Sequence, residues 1–116
     1  MATVAVDGTL LHVVAGGGVV VITDNPRNAG HVLPLNQAGK LGELLDIAAS
    51  DEAPRGLLGS VSTVDGVLMH VVRSSCHVTL HDQPDPRAHS GWTLRMVDQV
   101  VALRDAISDA VGVSTQ

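Results

Sequence analysis

The chain says one thing twice. Residues 7–26, DGTLLHVVAGGGVVVITDNP, and residues 65–84, DGVLMHVVRSSCHVTLHDQP, superpose without a gap at an offset of 58 positions. Nine of the twenty pairs are identical (Asp7/Asp65, Gly8/Gly66, Leu10/Leu68, His12/His70, Val13/Val71, Val14/Val72, Val20/Val78, Asp24/Asp82 and Pro26/Pro84), where chance supplies about one. A 58-residue half is marginal on its own. The two copies are therefore expected to share one core, as a single domain over 1–116 with repeat 1 at 1–50, a linker at 51–60 and repeat 2 at 61–112.

That core has to be aliphatic. Apolar residues make up 45% of the chain, yet there is no Phe or Tyr and Trp92 is the only Trp. The net charge of −5 is shared between the halves, with three basic and six acidic residues in 1–58 and four basic and six acidic in 59–116. Neither half is basic, which disfavours tight, sequence-independent contact with a phosphate backbone. Cys76 is the only cysteine, so no internal disulfide forms and a reducing cytoplasm is the expected home. The opening MATVAVDG lacks the basic and apolar regions of a signal peptide. No apolar run reaches the ~20 residues that cross a bilayer, so no membrane association is expected.

Local pattern gives each repeat four strands and a helix. In repeat 1 the strands are read at 3–6, 10–14, 19–23 and 31–35, with Asp7-Gly8 as a type I′ turn and 15–18 as a second turn. Asn36 is placed to cap a helix over 37–49, with Leu41, Leu44, Leu45 and Ala48 on its buried side. Repeat 2 follows the same order, with strands at 61–64, 67–72, 77–81 and 91–94. Its helix is read from about 95 to 111, with Val97, Val100, Val101, Leu103 and Ile107 near helical spacing, ended by Gly112. The fold class is α+β: two tandem β-β-β-β-α repeats forming one pseudo-twofold domain with antiparallel sheet and two helices.

Alternate residues of a strand share a face. Val20 and Ile22, like Val78 and Leu80, mark the buried face of the third strand in each copy. The opposite faces differ, with Val19, Val21 and Thr23 in one and His77, Thr79 and His81 in the other. A monomer gains nothing by leaving the first set in water. Val14, Val19 and Val21 are therefore expected to be covered, as a protein interface, by the other half or by a second chain.

The six histidines invite a metal reading. His12/His70 and His31/His89 are related by the repeat offset, whereas His77 and His81 occur once. With the turn at 73–76, Val72 faces His77 and His70 faces Thr79, which sets His70 diagonal to both His77 and His81. His77 and His81 are about 13 Å apart along a strand, too far to share one ion. A three-histidine site fails on geometry, and the alternatives are exposed sheet-surface histidines, a two-ligand site or a cluster that charges below neutral pH. No metal or other cofactor is expected.

The remaining motifs have structural readings. The glycines of residues 15–18 lack the lysine and following helix of a phosphate loop. The Leu41, Leu44, Leu45 spacing is a buried helix stripe. Cys76 and His77 are adjacent in a strand and point to opposite faces, so they cannot pair as nucleophile and base. Asp82, Asp85 and Asp98 occupy loop and helix-start positions that favour carboxylates for turn and cap reasons. Nothing assembles a nucleophile, a base and an oxyanion donor, so an enzyme is not expected.

The segments HVLPLNQAGKLGELLDI and GWTLRMVDQVVALRDAI resemble the last strand, helix entry and leucine-bearing helix of the Whirly-like fold. That group includes single-stranded-DNA-binding transcriptional coactivators, which build the arrangement as dimers of one repeat. The resemblance implies a nucleic-acid contact, and Arg73, Arg87, Trp92 and Arg95 are the residues that could make it. The basic groove and aromatic platforms such binding uses are otherwise missing, and fold likeness alone does not carry function. The leading expectation is a non-enzymatic binding or regulatory protein that acts through protein–protein contacts, with itself or another protein as partner. A nucleic-acid-binding regulator is the second reading, and an acidic mimic of nucleic acid the third.

Overall fold

A computed structural model of the chain describes residues 2–6, 9–23, 31–50, 52–75, 77–81, 91–95 and 98–114. Its elements follow in the order β1 (Ala2–Val6), β2 (Thr9–Gly16), β3 (Val19–Thr23), β4 (His31–Pro34), α1 (Leu35–Ala48), β5 (Gly56–Ser62), β6 (Leu68–Arg73), β7 (His77–His81), β8 (Gly91–Arg95) and α2 (Asp98–Ser114). The fold is α+β, with two antiparallel four-stranded sheets, β1-β2-β3-β4 and β5-β6-β7-β8.

Short loops set the pairing. Gly16 faces Val19 across β2 and β3, leaving Gly17-Gly18 as a two-residue loop with φ of 62° and 79°. Both values suit the type I′ turn, whose twist matches that of the strands and which glycine enters at no steric cost. The β6–β7 loop has the same length, because Ser74 N–H donates to His77 O at 2.9 Å. The intervening Cys76 lies outside the described residues, as do Asp7 and Gly8 in the β1–β2 loop. The β5–β6 loop is one residue longer: Thr63 N–H donates to Val67 O, and Gly66, at φ 84°, donates back to Thr63 O at 3.0 Å.

The β2–β3 and β6–β7 registers coincide at the offset of 58. His12↔Thr23, Val13↔Ile22, Val14↔Val21 and Ala15↔Val20 have as counterparts His70↔His81, Val71↔Leu80, Val72↔Thr79 and Arg73↔Val78. The expected pairing of His70 with Thr79 is corrected here. A two-residue β6–β7 loop, tighter than the four residues assigned to it, slides β7 by two and sets His70 directly opposite His81. Past β7 the offset grows. Val20↔Leu33 answers to Val78↔Leu94, an offset of 61 in the fourth strand. The place of His31, opposite Ile22, is taken in the second sheet by Trp92, opposite Leu80, and not by His89. In the helices the offset is 62: Ala38, Leu41, Leu44, Leu45 and Ala48 are buried on α1, and Val100, Leu103, Ala106, Ile107 and Ala110 on α2.

Three boundaries depart from expectation. β5 begins at Gly56, inside the stretch read as linker, and carries an irregularity between Leu57 and Gly59. That bulge breaks the alternation a strand shows in sequence. α1 starts directly after Pro34, which has no N–H and takes φ −59° and ψ 156° at the cap position. Asn36 is thus inside the first turn, where its Oδ1 accepts from Gln37 N at 3.0 Å, and no side chain caps the helix. α2 begins at Asp98, whose Oδ1 accepts from Gln99 N at 2.9 Å, and it continues through Gly112 to Ser114.

The buried side chains of both sheets and both helices form one aliphatic cluster. The helices pack on one another, and each also reaches across the molecule. α1 lies chiefly against β5, where Gln37 Oε1 accepts from Ser62 N at 2.8 Å. α2 lies chiefly across β1 and β2. Gly59 permits a close approach of β5 to α1, since a Cβ there would stand 2.9 Å from Leu44 Cδ2. No helix among the described residues is long and apolar enough to cross a membrane.

Candidate functional site: the outer sheet faces

With Val13, Val20, Ile22 and Leu33 turned into the core, parity places Val14, Val21 and Val32 on the outer face of the first sheet. They form one row, because Val14 faces Val21 and Val21 faces Val32. Val19, opposite Pro34, lies beside it. Val14, Val19, Val21 and Val32 are each half-buried. Leu10, on the same face of β2, is 45% exposed. Val32 also links this face to the second half, because its carbonyl accepts from Val64 N at 2.9 Å. Val64 is exposed, as are Val67 and Leu68 at the tip of the β5–β6 hairpin. Sequence reasoning found the valines of β2 and β3 but missed Val32 and the hairpin tip, since only the fold brings β4 beside residue 64.

The matching row of the second sheet, Val72–Thr79–Thr93, is polar on two of its three strands. The next row along is Ser60–His70–His81. Ser60 Oγ lies 2.6 Å from His70 Nδ1, and the rings of His70 and His81 have centroids 5.4 Å apart with planes inclined by 47°. His81 is buried and His70 half-buried. The corresponding row of the first sheet is Thr3–His12–Thr23. There the Nδ1 of His12 is buried without a hydrogen-bond partner among the described residues. No group of three or more His, Cys, Asp or Glu side chains converges on a metal position among the described residues.

Arg73 is not on a surface. It is 5% exposed, and its guanidinium is spent on the end of α1: Nε donates to Ala48 O at 2.9 Å and Nη2 to Ser50 O at 3.5 Å, while Nη1 bonds Ser74 O. Ala48 O is one of the carbonyls a helix leaves unsatisfied at its C-terminus, where the dipole also favours a cation. Trp92 and Arg95 lie on β8 opposite Leu80 and His77, and Arg87 lies outside the described residues. The Arg73 guanidinium is thus committed to the end of α1 and to its own loop.

Between the helices runs a groove of about 300 Å³. Gly39, Gly42, Ile107 and Val111 line it, with Glu43 and Asp105 also contributing. Arg104 bridges the helices there by donating to Asp46 Oδ1 at 2.8 Å. The groove is small for a ligand site, and the ion pair is exposed, with side-chain accessibilities of 30% and 68%.

No protein-family model, curated protein or solved structure matches the chain.

Proposed function

We propose that this is a non-enzymatic binding protein that pairs with a second copy of itself through the outer face of the β2–β3–β4 sheet. The observation that carries the reading is the Val14–Val21–Val32 row, apolar on all three strands and flanked by Val19 and the exposed Leu10. Its counterpart in the second sheet is broken by Thr79 and Thr93. If the row were only a by-product of strand propensity, both sheets would be expected to show it. A closed twofold contact lays the same row on both partners, and apolar rows at the centre of such contacts are their main source of affinity.

The two halves are further read as copies of one unit related by an approximate twofold axis. The coincident registers at offset 58 and the helix stripes at offset 62 support this, with the four extra residues falling between β7 and α2. The resemblance to the Whirly-like group is consistent with that reading. The nucleic-acid function it implies gains no support from Arg73, whose charge is committed to the end of α1.

Sedimentation equilibrium tests the self-association. The wild-type chain is expected at about twice its 12.0 kDa mass, and Val21→Asp at the monomer mass with its circular dichroism retained. Thr79→Asp, at the register-matched position, should leave the dimer intact. A wild-type mass of 12.0 kDa at about 100 μM, far above the concentration at which a specific dimer forms, defeats the proposal.

A further inference from the structure

We propose that the cross-strand pair His70 and His81 binds a divalent transition-metal ion of the Zn²⁺ class. The two residues are directly opposed in the β6–β7 register. Two imidazoles on one tetrahedral ion, each with a metal–nitrogen bond of about 2.0–2.1 Å along the ring axis, have centroids about 5 Å apart. The observed separation is 5.4 Å and the rings are tilted rather than stacked flat.

Ser60 supplies the support that such a ligand needs. Metal-bound histidines hold their second ring nitrogen in a hydrogen bond that fixes tautomer and orientation. Ser60 Oγ stands 2.6 Å from His70 Nδ1. With that nitrogen donating to the hydroxyl, the Nε2 lone pair of His70 is left to bind metal. His81 is 6% exposed and His70 half-buried, so one ligand is anchored and the other opens to solvent.

Imidazole donors suit Zn²⁺, Ni²⁺ and Cu²⁺ over the hard cations Mg²⁺ and Ca²⁺. Two protein ligands leave the other positions to water. The same row in the first sheet, Thr3–His12–Thr23, has a single imidazole and provides an internal control. His77 shares the outer face of β7 but lies four residues from His81, about 13 Å along the strand, and takes no part.

The experiment uses the full chain, free of any histidine tag, titrated with ZnCl₂ and followed by calorimetry and equilibrium dialysis. One ion per chain is expected, with a Kd of about 10 μM or below, as suits a two-ligand site open to water. His70→Gln should weaken binding at least tenfold and Ser60→Ala several-fold, in line with loss of a ligand and of its orienting partner. His12→Gln and His77→Gln should bind as wild type. Because His81 is buried, its part is read without substitution: substoichiometric Cu²⁺ should broaden the His70 and His81 ring resonances before those of His12 and His77. No uptake at 100 μM Zn²⁺, uptake unchanged in His70→Gln, or uniform broadening of all histidines would overturn the site. Dimer and monomer alike carry the pair, so this result is independent of the mass measurement.

Discussion

The outer faces of the two sheets share a register and differ in chemistry. Across β2 and β3 the chain places Val14 against Val21 and His12 against Thr23; across β6 and β7 it places Val72 against Thr79 and His70 against His81. Register, β2–β3 and β6–β7 loop length and the apolar character of the buried face are held in common, so most of the divergence falls on side chains the core does not constrain. A fold fixes which positions are inward and leaves the outward ones to function. One sheet offers an apolar row, the other a histidine pair backed by a serine.

The inward faces differ conservatively, as at Leu11 and Met69 or Ile22 and Leu80, except at one position where the chemistry changes, and it gives the largest expected effect. Ala15 and Arg73 occupy the same register position, but only Arg73 grips the end of α1. Arg73→Ala should cost about 2–4 kcal/mol in urea unfolding, because it removes a buried charged side chain and the donor to the buried Ala48 carbonyl. Ala15→Ser should cost less than about 1 kcal/mol. Equal costs at the two sites would erase the distinction.

Next comes Gly59, whose counterpart beside the first sheet's Val13 is Ala2. Gly59→Val pushes Leu44 out of its seat and should destabilise by about 1–3 kcal/mol, the usual cost of overpacking. A neutral result would mean that α1 shifts freely over β5. The smallest effect belongs to the loops. Gly17→Ala, at φ 62°, should cost about 1 kcal/mol for the left-handed backbone, whereas Ser75→Ala, at the matched position of the β6–β7 loop, should stay within about 0.5 kcal/mol.

Strand count, element order and the α1 stripe were legible because they rest on periodicity and turn residues. Leu41, Leu44, Leu45 and Ala48 are buried as their spacing required, with Ala38 added. Register was harder to read. Assigning four residues to the β6–β7 loop instead of two moves every partner by two places, and nothing in RSSC fixes the count as Gly17-Gly18 does. The start of β5 was hidden by its bulge at Leu57 and Gly59, which reads locally as a flexible linker. The growing offset escaped an ungapped comparison, so Trp92 was not matched to His31. Arg73 is a different kind of failure. A charge in a strand looks like surface until its partner is known, and here the partner is the end of a helix 25 residues away.

The way α1 lies against β5 while α2 crosses β1 and β2 ties the halves more firmly than a linker does. A fragment ending after Ala48 would keep its own sheet and the contacts of α1 with β3 and β4, yet lose α2 and β5, the bed against which its helix chiefly packs, and β1 and β2 would want a helix in turn. Two such fragments would answer each other's need by trading helices. In the single chain each helix finds that bed in the other half.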